Sequence, residues 1–130
     1  IDTRNWAEQR ISEPQLPIYA ALVNDEVAAV VFAKVLLDKP GFAGVADARD
    51  ILPGVQGIGD DKQKIFDPAE FPDWIAVVTH WRERLHAIAR EVKSGQAGVM
   101  FADEKALQYC EVLPLLRLPE RRRLLAGKMA

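Results

Sequence analysis

The sequence predicts an α/β fold, and three stretches carry that expectation. Residues 27–37, Val-Ala-Ala-Val-Val-Phe-Ala-Lys-Val-Leu-Leu, form a β-branched, nearly continuous apolar run. This is the pattern of a strand buried on both faces at its start. Trp74, Val77, Val78, Trp81, Leu85, Ile88 and Val92 step by three and four, which makes one apolar stripe on a long helix. Ser12-Glu13-Pro14-Gln15 has the capping-box pattern, with Ile11 and Leu16 spaced for a hydrophobic staple, and predicts another helix start.

Residues 1–12 are polar and mixed and are expected to be loop or extended. The first helix should run from Ser12 or Glu13 to about Asn24. Pro14 is tolerated in a first turn, and Pro17 is expected to cost one hydrogen bond. Asp38-Lys39-Pro40-Gly41 is a turn signal. Phe42 to Ala46 then reads as a returning strand, so residues 27–46 predict a β-hairpin. Gly54, Gly57 and Gly59 punctuate a loop, with a short strand expected at Lys64-Ile65-Phe66. The long helix spans Asp73 to Ser94, preceded by Pro72 and stopped by Gly95. A last helical segment is expected from Asp103 to Leu113. Pro114 and Pro119 break it, and a short helix over Glu120–Ala126 follows.

At 130 residues, residues 1–130 are expected to form a single domain or part of one, with a real core. Hydrophobic residues make up 49% and charged residues 28%, ordinary globular composition. A net charge of −2 argues against a strongly basic nucleic-acid module taken alone. It is compatible with a site whose metal-binding acids offset its basic contacts. The single cysteine, Cys110, excludes an internal disulfide and fits a reducing, cytoplasmic setting. No apolar run is long enough to span a bilayer, and no signal-peptide pattern is present. The sequence begins at Ile1, in a polar segment without methionine, and is expected to be a piece of a longer protein.

The stretch Glu13-Pro14-Gln15-Leu16-Pro17-Ile18-Tyr19-Ala20 sets an amide and a phenol four residues apart, hence on one helix face. Gln15 also suits the capping box, donating back to Ser12, and Tyr19 is expected to be a partly buried core residue. Three stretches resemble the RecB-like nuclease domains of the PD-(D/E)XK superfamily. They are Trp6, Arg10 and Glu13–Ala20, with its Gln-x-x-x-Tyr signature; the strand, turn and Phe42-Ala43-Gly44, with the helix from Trp74 to Gly95; and Tyr109-Cys110-Glu111-Val112-Leu113-Pro114-Leu115-Leu116-Arg117-Leu118. Together they span nearly the whole chain. The likeness is to the C-terminal part of the domain in bacterial DNA-repair exonucleases related to AddB-type subunits.

The resemblance implies a partial restriction-endonuclease-like fold, a mixed β-sheet flanked by helices. It implies Mg²⁺-dependent phosphodiester hydrolysis on DNA ends in the parent enzyme, and a helicase–nuclease partner subunit. Gln15 and Tyr19 would support the active site. In the family the metal is held by an upstream Asp and an Asp/Glu-x-Lys strand. Here Asp2-Thr3-Arg4 is the one counterpart. Either Asp2 is the carboxylate with Arg4 in the lysine position, or residues 1–12 are the loop after a catalytic strand that precedes Ile1. The second reading is preferred, because relatives carry a Trp…Arg loop between strand and Gln. On either reading the isolated chain is expected not to cleave DNA: on the first because Arg4 is not a proton-transfer group, on the second because the catalytic strand lies outside it. Many relatives carry iron–sulfur cysteines near the C-terminus. Only Cys110 matches, flanked by Leu107 and Leu116, and one thiolate does not hold a cluster, so none is expected.

Other candidates read more plainly. His80 and His86 lack metal-ligand spacing and are expected to face solvent; Asp60 and Asp61 read as a solvated loop, with cation ligation as the alternative. The Gly54–Gly59 stretch lacks the lysine of a phosphate loop. Asp103-Glu104-Lys105 reads as a helix start. Arg117, Arg121, Arg122 and Arg123 read first as a solvated terminal face and second as contacts to DNA phosphates. An exposed sheet edge, left where the front of the domain is missing, would invite a homodimer or an element swap. The alternative function is a degenerate nuclease-fold module that binds DNA or a partner subunit without catalysis. A third is a helical interaction domain.

Overall fold

The computed structural model describes residues 3–23 and 26–96, with 111 and 117. The chain divides into two compact units, residues 1–95 and 96–130. The first carries every element described below. The expected helices of 103–113 and 120–126, Cys110, Leu107, Leu116 and Arg121 lie outside the described residues, as does Asp2.

The first unit begins with a 3₁₀ turn, Arg4–Ala7, followed by α1 (Gln15–Leu22). The strands β1 (Ala29–Lys34) and β2 (Gly41–Ala46) come next, then the two-residue β3 (Gln56–Gly57) and the long α2 (Trp74–Lys93). The sheet order is β1-β2-β3. β1 and β2 are antiparallel, from Ala29 opposite Ala46 to Lys34 opposite Gly41, and β3 runs parallel to β2. The sheet is therefore mixed and flanked by helices, as expected at that level. Gly44 is required in the hairpin: a Cβ there would meet the Val30 carbonyl and lie 2.7 Å from the Val31 Cα.

Several expectations are corrected. The opening segment is not loop alone. Trp6 is fully buried, and its indole N–H donates to the Glu13 carbonyl at 3.2 Å, so the 3₁₀ turn is held by the core. The capping box does not form. The helix starts at Gln15 with Pro14 in the cap position and no side-chain cap bond. Ser12 Oγ instead accepts from Asn5 Nδ2 at 2.6 Å. With that start, Pro17 is the third helical residue. Its missing N–H falls among those a helix leaves unpaired anyway, so it costs no helical hydrogen bond. β1 is covered only at its start: Val30 is buried, Ala29 and Val31 on the other face are half-buried, and Ala33 to Leu37 stand in solvent.

No strand forms at Lys64–Phe66. The buried Gln63 side chain accepts from the N–H groups of Ile65 and Phe66, and its Nε2 donates to the Phe66 carbonyl at 2.8 Å. A side chain that takes these backbone groups competes directly with a ladder.

The long helix matches its expected bounds to within a residue. Asp73 Oδ1 accepts from Ala76 N at 2.8 Å, an N-cap. Gly95, at φ 72°, ends it in the left-handed region. Trp74, Val77 and Trp81 are buried, whereas Leu85 and Ile88 are half-buried and Val92 is exposed. Trp81 is the hub of the core. Its ring meets those of Trp6 at 5.9 Å, Phe66 at 6.0 Å and Trp74 at 5.9 Å, all edge-on. Its N–H donates to the Trp6 carbonyl at 3.0 Å. The three tryptophans are packing residues with satisfied N–H groups.

Candidate functional site

The buried side of α1 is Pro17 and Ala20. Gln15 and Tyr19 are on its outer side, and Tyr19 is 58% exposed. Tyr19 is thus not a core residue. The expected amide–phenol pair stands on one exposed face.

The direction of α1 is set at both of its ends. The Glu13 carbonyl, just ahead of the helix, accepts from Trp6, whose ring lies 6.0 Å from Phe32 in the second half of β1. Ala20, near the other end, shares a cleft with Val27 and Ala28, which precede β1. The helix therefore runs back along β1, and Gln15 lies toward the strand's C-terminal end.

β2 covers one edge of β1. Asp47 N–H donates to the Ala28 carbonyl at 2.8 Å. Alternation along an antiparallel ladder then directs the backbone N–H and C=O groups of Val30 and Phe32 toward β2, and those of Ala29, Val31 and Ala33 toward the opposite edge. No described strand covers that edge.

The segment after the 3₁₀ turn is strapped to α2. Arg10 pairs with Glu91 at 2.7 Å, Arg84 donates to Gln9 Oε1, and His80 Nε2 meets the Glu8 carbonyl at 3.1 Å. His80 also stands edge-on to Phe71 at 5.1 Å. It is half-buried rather than solvent-facing, and that burial lowers its pKa. The helical pattern put it off the apolar stripe correctly but could not show that a remote loop folds over it. His86 is exposed, as expected. Arg117 is an exposed turn residue at φ 49°.

Asp60, expected in a solvated loop, is buried instead. It is 8% exposed, with Arg49 ion-paired to one carboxylate oxygen and the Gly57 N–H donating to the other at 3.1 Å. The bond from Arg49 holds the Asp60 carboxyl below its ordinary value. The pair clips the β2–β3 loop to the turn after β3. The sequence carried one weak signal, an Arg eleven residues before an Asp across a glycine-punctuated loop. A carboxylate with a lowered folded-state pKa stabilises above its unfolded pKa, about 3.9, and loses that contribution as pH falls through the folded value. Asp60→Asn is therefore expected to lower the melting temperature at pH 7 and to flatten its fall below about pH 4. Circular-dichroism melts across that range check it; parallel pH profiles for the two proteins would contradict the clip.

Among the described residues no three His, Cys, Asp or Glu side chains converge as a metal site. No helix among them is long and apolar enough to cross a membrane. No protein-family model matches the chain, and no curated protein or solved structure shows a significant match to it.

Proposed function

We propose that this chain is the C-terminal part of a RecB-like nuclease domain in a Mg²⁺-dependent DNA-repair exonuclease, with the metal-binding acids on a strand preceding Ile1. The observation that carries this reading is the relation of α1 to β1. α1 runs back along β1, β2 fills one edge of that strand, and no described strand fills the other. A strand joined to β1 through a helix packs parallel to it by a right-handed crossover. A strand leading into α1 would thus enter on the edge bearing Ala29, Val31 and Ala33. Its C-terminal end would face the start of α1, the end at which open α/β sheets carry their sites. Gln15 would then stand beside the carboxylates, with Tyr19 one turn further along.

Gln15 and Tyr19 are neutral, and Mg²⁺ is held chiefly by carboxylate and water oxygens. The described residues do not by themselves fit the metal, and no hydrolytic step is assigned to them. What this chain would contribute is positioning: an amide and a phenol aimed from a fixed helix, and a sheet edge on which the catalytic strand is held. In the parent enzyme DNA is the substrate and a helicase–nuclease subunit the partner, with Arg117 and Arg121 as basic contacts to DNA.

The test is digestion of linear DNA by a protein extended upstream of Ile1. Mg²⁺-dependent release of nucleotides, absent with chelator and absent from residues 1–130 alone, is the expected result. Binding of DNA without any cleavage by the extended protein would favour the degenerate module instead.

A further inference from the structure

We infer that the tip of the β1–β2 hairpin of one copy docks into the cleft between α1, α2 and the segment that precedes β1 in a second copy, forming a reciprocal dimer. The tip follows Lys34. Val35, Leu36 and Leu37 are 93%, 60% and 104% exposed, and Asp38 and Lys39 complete the turn. Three consecutive large apolar side chains in solvent are not what an ordinary turn requires, and such patches mark interaction surfaces. Lysines stand on either side of them.

The cleft is the chemical counterpart. It holds about 500 Å³ over an apolar floor of Ala20, Val27, Trp74 and Val78, within the roughly 300–1,000 Å³ typical of binding clefts. Its charged lining is Glu26, Asp47 and Asp73 against Arg82. Arg82 Nε donates to the Ala21 carbonyl at 3.2 Å, and Asp73 caps α2. The rim is net acidic and the tip net basic, so apolar surface meets apolar surface and charge meets opposite charge.

The occupant follows from where the two surfaces lie. Val27 and Ala28 of the cleft directly precede β1, and the tip directly follows it. They are separated by the six residues of β1, about 20 Å of strand. Two hairpins laid antiparallel about a two-fold axis bring each tip to the other's cleft at once, a self-complementary interface that closes at two copies. The contact uses neither Gln15, Tyr19 nor the uncovered edge of β1. It is independent of the nuclease reading, and it differs from a dimer made by pairing sheet edges.

The test is the oligomeric state of residues 1–130 by analytical ultracentrifugation over a wide concentration range. A reversible monomer–dimer equilibrium is expected. Leu36→Ser with Leu37→Ser should weaken it by about tenfold or more. Lys34→Glu with Lys39→Glu, and separately Glu26→Lys with Asp47→Lys, should each give monomers through like-charge repulsion. Mixing the two charge-reversed proteins should restore a dimer, because both contacts are then complementary. All these positions are exposed, and unchanged far-ultraviolet spectra confirm that each variant folds. A monomer at every concentration, a dimer indifferent to the charge reversals, failure of the mixture to associate, or growth beyond two copies would each overturn the inference.

Discussion

Trp81→Ala is expected to destabilise the protein by about 3–5 kcal/mol, the range for large aromatic truncations in cores. Trp81 has no exposed surface, and three aromatic neighbours close on its ring. Each edge-on contact adds roughly 0.5–1.5 kcal/mol beyond simple burial, so the upper part of the range is expected. Removal also orphans the Trp6 carbonyl, which accepts its N–H in a buried setting. Domains of this size are stable by only about 5–15 kcal/mol, so the variant should lose a large part of its stability. Urea unfolding checks this, with the midpoint falling and the slope unchanged. Trp81→Phe separates the two components. It keeps an aromatic ring in the cluster and loses the hydrogen bond, at a smaller cost of about 1–3 kcal/mol for the unsatisfied carbonyl. A loss below about 1 kcal/mol in Trp81→Ala would contradict its place as the hub.

Gln15→Ala should have the opposite profile. The side chain is exposed, so stability should change by no more than about 0.5 kcal/mol. In the upstream-extended protein, cleavage of linear DNA should fall by roughly 10- to 100-fold, the usual effect of removing a group that orients metal ligands. Tyr19→Phe, which keeps the ring and removes the hydroxyl, tests whether the phenol acts through its oxygen. Equal cleavage rates for wild type and Gln15→Ala would remove Gln15 from the site. A fall accompanied by lost stability would assign it to the fold instead.

What was legible in the sequence was whatever repeats or punctuates. The stripe from Trp74 to Trp81 and its Pro72 and Gly95 boundaries predicted α2 almost to the residue, because periodicity and end signals are local. The hairpin was legible from two apolar runs around Asp38-Lys39-Pro40-Gly41. The face shared by Gln15 and Tyr19 followed from helical spacing alone. Long-range contacts were not legible. Trp6 lies in a polar stretch, and only its meeting with Trp81, 75 residues away, makes its segment structured. Asp60 looked like one of two solvated acids until a loop brought Arg49 to it. Gln63 hid a turn where a β-branched and aromatic pair suggested a strand. β3 was invisible for the same reason: two residues paired by a parallel neighbour carry no pattern of their own.

On the proposed reading, β1 offers its uncovered edge to a preceding strand that brings the acids beside Gln15. Amide hydrogen exchange read residue by residue tests it most directly, comparing dilute residues 1–130 with the upstream-extended protein. In the short chain Val30 and Phe32, bonded to β2, should be protected, while Ala29, Val31 and Ala33 exchange quickly. In the extended protein Ala29, Val31 and Ala33 should become protected to a similar degree. Rapid exchange of those three amides in both proteins would contradict the claim.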